Sequence, residues 1–463
     1  MAELDFASRR LIHAAAYPAA LKASLDRLGW DAARLRRQRT EALQALLRRA
    51  RERSPWHARR LRGIDLASMT EDDLGRIPPM TKRDLMEHWD EIVTDPRLSL
   101  ARCEGFLADH PDEPRDLDER YFVLASGGSS GTRGVFALDW DEMAVVCTGA
   151  QRRPVRAVLA AGHDAAGGLR VASLGSGSAT HAAAVGPRLF APPGKGALAL
   201  AVDRPMGEIV ERLNAHQPEV LVGYASALHL LIVEGCERHR LRIAPLAVIA
   251  TSDPLLPEIA RALERTFGVV PFNVYATCDA GALGASCGQG RGIHLNDDLA
   301  IVEPVDGAGR PIAAGETSST TYVTPLCQPT LPLLRYELTD QLAPIAEPCA
   351  CGAAFRRVAD PAGRLDDVFS YGPEATVHPI TFARPLRARP EVLEFQVRQT
   401  SDGAAIDVRC TARVDLERLR ADVEEALARA GLALPRVVVR EVPAIARTGA
   451  GKLKRFVALP SRP

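Results

Sequence analysis

Between about residue 120 and residue 340 the chain alternates short apolar runs with stretches of helical periodicity. The runs at 169–174, 220–222, 246–250 and 269–274 have strand length, while Met206–His216 and Pro257–Phe267 repeat apolar residues at helical spacing. Such alternation predicts an α/β region layered around a largely parallel sheet. Upstream, residues 31–62 are Arg-rich with Leu35, Leu43, Leu46 and Leu47 on one face, the pattern of an amphipathic helix with a solvated basic side. Pro78-Pro-Met-Thr81 then predicts a break, with Thr81 capping a helix that starts at Lys82. Residues 107–120, rich in acids and prolines, predict a surface loop.

The pattern changes after residue 364. Residues 392–398, 404–410 and 437–442 read as strands, and 416–430 as a helix with Leu416, Leu419, Val423 and Leu427 inward and Gly431 at its C′ position. The expected architecture is a large multi-layer domain over 1–364 with mostly parallel sheets, plus a small α+β domain over 365–463. A glycine-flanked basic loop, Arg447-Thr-Gly-Ala-Gly-Lys-Leu-Lys454, lies near the end.

Bulk properties narrow the function. The chain has 463 residues, 46% hydrophobic and 25% charged, with 58 basic and 58 acidic residues. A formal net charge of zero argues against a general nucleic-acid or membrane-surface binder. No apolar stretch approaches the length of a membrane span, and the N-terminus lacks a basic-then-apolar leader pattern, so a cytoplasmic protein is expected. Nine cysteines in this length do not form a disulfide scaffold.

The candidate chemistry starts at Ser126-Gly-Gly-Ser-Ser-Gly-Thr-Arg-Gly134, directly after the apolar run Tyr121-Phe-Val-Leu-Ala125. Glycines let the backbone approach a ligand, and the N–H groups with hydroxyls of Ser126, Gly127, Gly128, Ser129, Ser130, Gly131 and Thr132 make a nest for phosphate oxygens. It is not a Walker A loop, because no Gly-Lys-Ser/Thr follows. Further segments are Thr251-Ser-Asp-Pro254, Tyr275-Ala-Thr-Cys-Asp279, Leu334-Arg-Tyr-Glu-Leu-Thr-Asp340, Gly363-Arg-Leu-Asp-Asp367 and Thr448-Gly-Ala-Gly-Lys452.

In this order the set resembles the adenylate-forming superfamily, and within it the phenylacetate–CoA ligase branch. Arg51-Glu-Arg-Ser-Pro-Trp-His57, Ile77-Pro-Pro-Met-Thr-Lys-Arg-Asp-Leu85, Gly292-Ile-His-Leu-Asn-Asp-Asp298 and Pro332-Leu-Leu-Arg-Tyr336 are similar to further landmarks of that branch. The resemblance implies attack of a carboxylate on the α-phosphorus of ATP, giving an acyl-adenylate and pyrophosphate, then transfer to the thiol of CoA. It implies that residues 126–132 hold the β- and γ-phosphates, that Ser252, Asp253, Tyr275, Ala276 and Thr277 line the nucleotide, and that Asp340 accepts the ribose hydroxyls. Arg364 then reaches ribose or phosphate, Asp279 helps hold Mg²⁺, and Lys452 bridges carboxylate and α-phosphate oxygens. The small domain rotates about a hinge at Asp366. His181, Ala182, Gly223 and Tyr224 border the acid, expected to be aromatic. Relatives are often dimers, which points to a homodimer.

Some residues depart from the pattern. Cys278 stands where the family has Ser or Thr, Asp279 where it has Glu, and Arg133 is the only cation in the phosphate loop. These departures leave two alternatives open: a ligase using an amine, nitrogen or carrier-protein acceptor, and a catalytically weakened nucleotide- or acyl-binding homologue. Separately, Cys287, His294, Cys349 and Cys351 supply three thiolates and an imidazole, the set of a closed tetrahedral zinc site, and the branch has a similar arrangement.

Overall fold

The computed structural model describes residues 4–110, 113–126, 134–164, 168–175, 182–191, 196–202, 204–236, 240–361, 368–371, 376–377, 379–389, 391–447 and 453–459. It divides into two compact units, one of residues 1–338 and 342–361, the other of 339–341 and 362–463.

The larger unit is built on a nine-stranded sheet. A hairpin precedes it: β1 (Tyr121–Ala125) pairs antiparallel with β2 (Val135–Asp139). The sheet contains β3 (Val171–Gly175), β4 (Ala197–Ala201), β5 (Val220–Tyr224), β6 (Ala247–Thr251), β7 (Phe272–Thr277), β8 (Gly281–Ala285) and β9 (Ile293–Leu295). A separate three-stranded antiparallel sheet holds β10 (Ala300–Val305), β11 (Thr320–Pro325) and β12 (Tyr336–Leu338). Two short strands, β13 (Pro344–Ile345) and β14 (Arg357–Val358), complete the nine. Their order is β13-β14-β9-β8-β7-β6-β5-β3-β4. The five strands β3 to β7 run parallel and the rest antiparallel. The expected parallel core is present, with an antiparallel flank that the apolar runs did not reveal.

The helices follow from local chemistry. Met206–His216 buries Ile209, Val210 and Leu213 against the sheet. Pro257–Phe267 begins with proline in its first turn, buries Ile259 and Leu263, and stops at Gly268, whose φ of 71° only glycine adopts without strain. The Arg-rich stretch forms one helix, Ala32–Arg53, with Leu35, Leu43, Leu46 and Leu47 inward. It ends where Ser54 turns to cap a second helix, Pro55–Arg60. The loop expected at 107–120 starts later, because Leu107 is buried in the last turn of the helix Leu100–Asp109. Two long helices had no sequence signal, Phe6–Arg27 and Trp140–Ala160. No helix among the described residues is long and apolar enough to cross a membrane.

Two of the landmark segments are joined, and the first is also tied to Glu91. Ser54 Oγ donates to the Glu91 carbonyl at 2.8 Å, and His57 Nε2 donates to the Pro332 carbonyl at 2.8 Å. Burial, with Arg60 beside it, pushes His57 down to about 3. The imidazole is therefore neutral in the fold and titrates near 6.5 only when unfolded, so the unfolded chain binds the extra proton as pH falls through 6.5. Stability is expected to drop by about 3 kcal/mol between about pH 6.5 and pH 4 from this residue. His57→Gln, which keeps an N–H donor for Pro332, should flatten that part of a urea-midpoint-against-pH curve.

The smaller unit has the hairpin β15 (Phe369–Ser370) with β16 (Thr376–Val377), and a four-stranded sheet. The sheet contains β17 (Val392–Gln399), β18 (Gly403–Cys410), β19 (Arg436–Glu441) and β20 (Phe456–Val457), in the order β19-β18-β17-β20. Its core joins Val397, Ile406 and Val408 to Leu419, Val423 and Leu427 of the helix Leu416–Arg429 and to Phe382 and Leu386 of Pro379–Arg387. It has the α+β character expected.

Candidate active site

Parallel pairing in register aligns the carboxyl ends of the central strands. Leu174 stands beside Gly223, Tyr224 beside Thr251, and Thr251 beside Val274. The residues that follow these ends therefore emerge along one edge of the sheet. The chain leaves β3 for β4 on one side, then crosses to β5 on the other. In open α/β sheets such a reversal leaves a crevice beyond the strand ends where ligands bind. Gly223 and Tyr224 lie at that crevice. A Cβ on Gly175 would sit 3.4 Å from the Tyr224 ring, and one on Gly223 would sit 3.0 Å from the Leu174 carbonyl. The tyrosine is only 2% exposed. His181 lies outside the described residues; Ala182 opens the helix Ala182–Phe190, but its side chain is not described.

After β6, Ser252 adopts a left-handed φ of 68°, which turns the chain sharply. Asp253 is buried and accepts from Ser226 Oγ at 2.5 Å, joining the ends of β5 and β6. Tyr275, Ala276 and Thr277 are the last residues of β7, and Thr277 Oγ1 accepts from the Ala280 N–H at 2.9 Å to close the turn to β8. That turn carries Asp279, 7% exposed.

Asp279 is held by two residues given no role from sequence. Tyr336 donates to its Oδ2 at 2.8 Å, and Lys82 Nζ stands 3.7 Å from the same oxygen. Their positions follow from backbone pairing. The Met80 N–H donates to the Arg335 carbonyl at 3.0 Å, the Glu337 N–H donates to the Met80 carbonyl at 2.8 Å, and Arg335 Nη1 donates to the Ile77 carbonyl at 2.9 Å. Thr81 caps the helix Lys82–Glu87 through a reciprocal box with Asp84, as its sequence predicted, which fixes where Lys82 begins. Burial first, and then the Asp279 charge, push the Tyr336 hydroxyl far above its ordinary range, so it stays an O–H donor. The signal was in the quoted motifs, but no spacing rule joins residues 82, 279 and 336.

The glycine/hydroxyl segment is the connection of the β1–β2 hairpin. At its base the Ser126 N–H donates to the Gly134 carbonyl at 2.9 Å and the Gly134 N–H donates to Ser126 Oγ at 2.8 Å. Gly127 to Arg133 lie outside the described residues, as do Arg364, Asp366 and Lys452. Asp340 is buried, 6% exposed, and is grouped with the smaller unit.

The four expected metal ligands are brought together. The ligand atoms of Cys287, His294, Cys349 and Cys351 all lie within 4.8 Å of one another. Cys287 and Cys349 sulfurs are 3.6 Å apart, and Cys351 Sγ is 3.4 Å from His294 Nε2. At a Zn–S distance of about 2.3 Å, a tetrahedral edge is about 3.8 Å, so the donor set and its spacing fit zinc. Backbone geometry serves the cluster. Gly290 lacks the Cβ that would lie 2.8 Å from Cys349 Sγ, and Gly292, at φ 81°, lacks one that would lie 2.3 Å from the Val358 carbonyl. The Gln289 N–H points at Cys287 Sγ at 3.4 Å. Burial lowers His294 to about 4, which leaves it the neutral ligand form, and raises Cys287 to about 11, so a metal must displace its proton.

No family model matches the chain, and no curated protein matches its sequence. Solved structures do match. 2-Hydroxyisobutyryl-CoA ligase in the postadenylation state with 2-HIB-AMP aligns at a TM-score of 0.70 and 20% identity, over 93% of this chain and 91% of that one. The same enzyme with 2-HIB-AMP and CoA in the thioesterification state aligns at 0.58 and 18% identity, over 94% and 91%. ATP-bound MatB from Rhodopseudomonas palustris aligns at 0.50 and 17% identity, over 74% and 67%. The chain thus shares the fold of 2-hydroxyisobutyryl-CoA ligase, a mixed α/β body with a parallel core and a carboxyl-terminal α+β region.

Proposed function

We propose that this protein couples ATP cleavage to activation of a carboxylic acid and passes the acyl group to CoA. The observation that carries the reading is the alignment of the Gly223–Tyr224, Ser252–Asp253 and Tyr275–Asp279 segments along one sheet edge, in a fold seen elsewhere with acyl-AMP and CoA. A carboxylate oxygen attacks the α-phosphorus; the bond to the β-phosphate oxygen breaks and pyrophosphate leaves. A thiolate then attacks the acyl carbon and AMP leaves. Both reactants of the first step are anions, so positioning and neutralisation are the protein's work.

The residues take the roles their motifs imply. Residues 126–132 hold the β- and γ-phosphates through backbone N–H groups. Ser252, Asp253 and Tyr275–Thr277 border the adenylate, Asp340 the ribose diol, and Arg364 a ribose or phosphate oxygen. Lys452 neutralises charge between the carboxylate and the α-phosphate. The carboxyl-terminal domain turns about Asp366 between the two steps. His181, Ala182, Gly223 and Tyr224 shape the acid site at the β3–β5 crevice, and a flat aromatic acid of the kind the phenylacetate branch takes is the proposed substrate.

Asp279 offers the hard oxygen donor that Mg²⁺ requires, and the ion would add positive charge at the phosphate oxygens. One of its oxygens is already fixed by Tyr336, which aims the carboxylate despite its short side chain. Tyr336→Phe removes that constraint. A hydrogen bond to a charged group contributes about 1.5–3 kcal/mol, so kcat/KM for ATP should fall about tenfold or more, alongside a lower melting temperature from the buried carboxylate left short of a donor. Cys287, His294, Cys349 and Cys351 would hold a structural zinc that ties β8, β9 and the β13–β14 link together; with four protein ligands it has no open position for chemistry.

Incubation with ATP and a panel of aromatic, aliphatic and amino acids, with and without CoA, tests the reading. Mass spectrometry should find AMP and an acyl-CoA with an aromatic member. An acyl-hydroxamate formed only with hydroxylamine, and no thioester, would instead point to an amine or carrier-protein acceptor.

A further inference from the structure

The helix Trp140–Ala160 carries two adjacent buried arginines. Arg152 spends its Nη1 and Nη2 on Asp298 and Asn296. Arg153 does not behave this way. It is 6% exposed, yet its Nε and Nη2 have no hydrogen-bond partner among the described residues. Its guanidinium stands over the Phe355 ring, 5.2 Å from the centroid. Leaving donors of a buried cation open is destabilising unless an anion faces them.

The helix advances along β8 toward Cys287: a Cβ on Gly281 would lie 2.7 Å from Val146, and one on Gly149, three residues on, 3.5 Å from Ala282. Arg153, one turn later, therefore stands toward the end of β8 that leads into Cys287. The Phe355 ring beneath it follows Cys351 by four residues, and the thiols of both cysteines act on its charge. No carboxylate forms an ion pair with it among the described residues. A neutral thiol is a weak acceptor and gives the guanidinium nothing to pair with. A metal-bound thiolate is an anion with free lone pairs. Three thiolates and an imidazole around a divalent ion leave one net negative charge, and burial makes that charge expensive. The other cation at the cluster, Arg357, is already engaged: its Nη1 donates to the Arg291 carbonyl at 3.0 Å and its Nη2 to the Glu347 carbonyl.

We propose that Arg153 is the outer cation of a metal-bound thiolate cluster built on Cys287 and Cys351, its buried charge cancelling the excess negative charge of the cluster. The metal and the arginine then depend on each other: without the ion, Arg153 is a buried cation with no counter-charge. This inference rests on the reading of the cluster as a zinc site, not on the ligase reading. Outer partners of this kind typically contribute about 10–100-fold to metal affinity.

The test uses the full chain, stripped with a chelator and reloaded with zinc or cobalt(II). Zinc affinity is measured by competition with a chromophoric chelator, and the thiolate-to-cobalt charge-transfer band is recorded. Arg153→Met should bind zinc about 10–100-fold more weakly and shift that band, and Arg153→Lys should recover part of the affinity. Arg153→Gln, which keeps polar contact without charge, carries the same expectation where the Met variant does not fold. Unchanged zinc affinity and an unchanged cobalt band in the Met or Gln variant would overturn the role of Arg153. Wild-type protein that takes up no zinc would overturn the metal reading and this inference with it. Neither readout depends on catalysis, so a failed search for ligase activity leaves both intact.

Discussion

Lys452→Ala is expected to lower acid-dependent exchange of pyrophosphate into ATP by about 10²–10³-fold, the scale found when one preorganised charge-stabilising group is removed from a developing anion. The residue sits in the glycine-flanked segment Thr448-Gly-Ala-Gly-Lys452, and the chain is anchored immediately afterwards. Leu453 is buried, Gln396 Nε2 donates to the Lys454 carbonyl at 2.9 Å, and the Val397 N–H donates to the Arg455 carbonyl at 2.7 Å. β20 then pairs with β17. A compact ammonium next to an anchored stretch of chain suits the role of a point charge at the reacting oxygens. The loss should fall on kcat, with the melting temperature unchanged. Lys452→Arg should recover little, because a planar fork does not replace a compact ammonium between two oxyanions. An alanine variant exchanging at the wild-type rate would remove Lys452 from the mechanism.

Asp298→Ala is expected to destabilise the larger unit by about 3–5 kcal/mol, the usual cost of stripping one partner from a buried ion pair. Arg152 and Asp298 side chains are both 0% exposed. Two N–H donors reach the carboxylate at 2.8 and 2.6 Å, and Nη2 also donates to Asn296 Oδ1 at 2.6 Å. Burial works against the Asp298 charge, yet Arg152 holds the carboxyl below its usual range. Arg27, 3.6 Å away, adds a weaker contact from the amino-terminal helix. Without the carboxylate, the Arg152 guanidinium keeps Asn296 as its hydrogen-bonding side chain and a face on Phe355, 5.3 Å from the centroid. The double change Asp298→Leu with Arg152→Met should recover much of the loss, since apolar replacement of a whole buried pair is often neutral. Urea midpoints of the single and double variants decide this; a single variant within about 0.5 kcal/mol of wild type would show that the pair is dispensable.

Elements with strong periodicity and clear caps were legible in the sequence. Met206–His216 and Pro257–Phe267 have the bounds their apolar spacing and Pro257 predicted, and Gly431 adopts the expected positive φ at 95°. The helix Trp140–Ala160 was not legible, for a physical reason: it holds Pro154 inside and buries Glu142, Arg152 and Arg153, so its inward face reads as polar. Phe6–Arg27 was hidden similarly, with Pro18 inside and only Ala14, Tyr17 and Ser24 buried. The antiparallel flank of the sheet is made of strands of two to five residues, too short for period-2 patterning to show.

The candidate site divides the same way. The Cys/His set carried its own chemistry in residue type, and the fold brings all four together. Gly223, Ser252 and Tyr275 were marked by their places after apolar runs, and parallel pairing aligns them. Lys82 and Tyr336 were quoted only as parts of motifs. Their meeting at Asp279 depends on the Met80–Tyr336 bridge, a long-range pairing that no local pattern encodes.

Exchange of labelled pyrophosphate into ATP, run with the full-length protein across a panel of carboxylic acids, tests the central claim most directly. Reversible acyl-adenylate formation predicts exchange that requires a suitable acid and vanishes without one. ATP binding with no exchange for any acid, or ATP breakdown at a rate indifferent to acid, would contradict it.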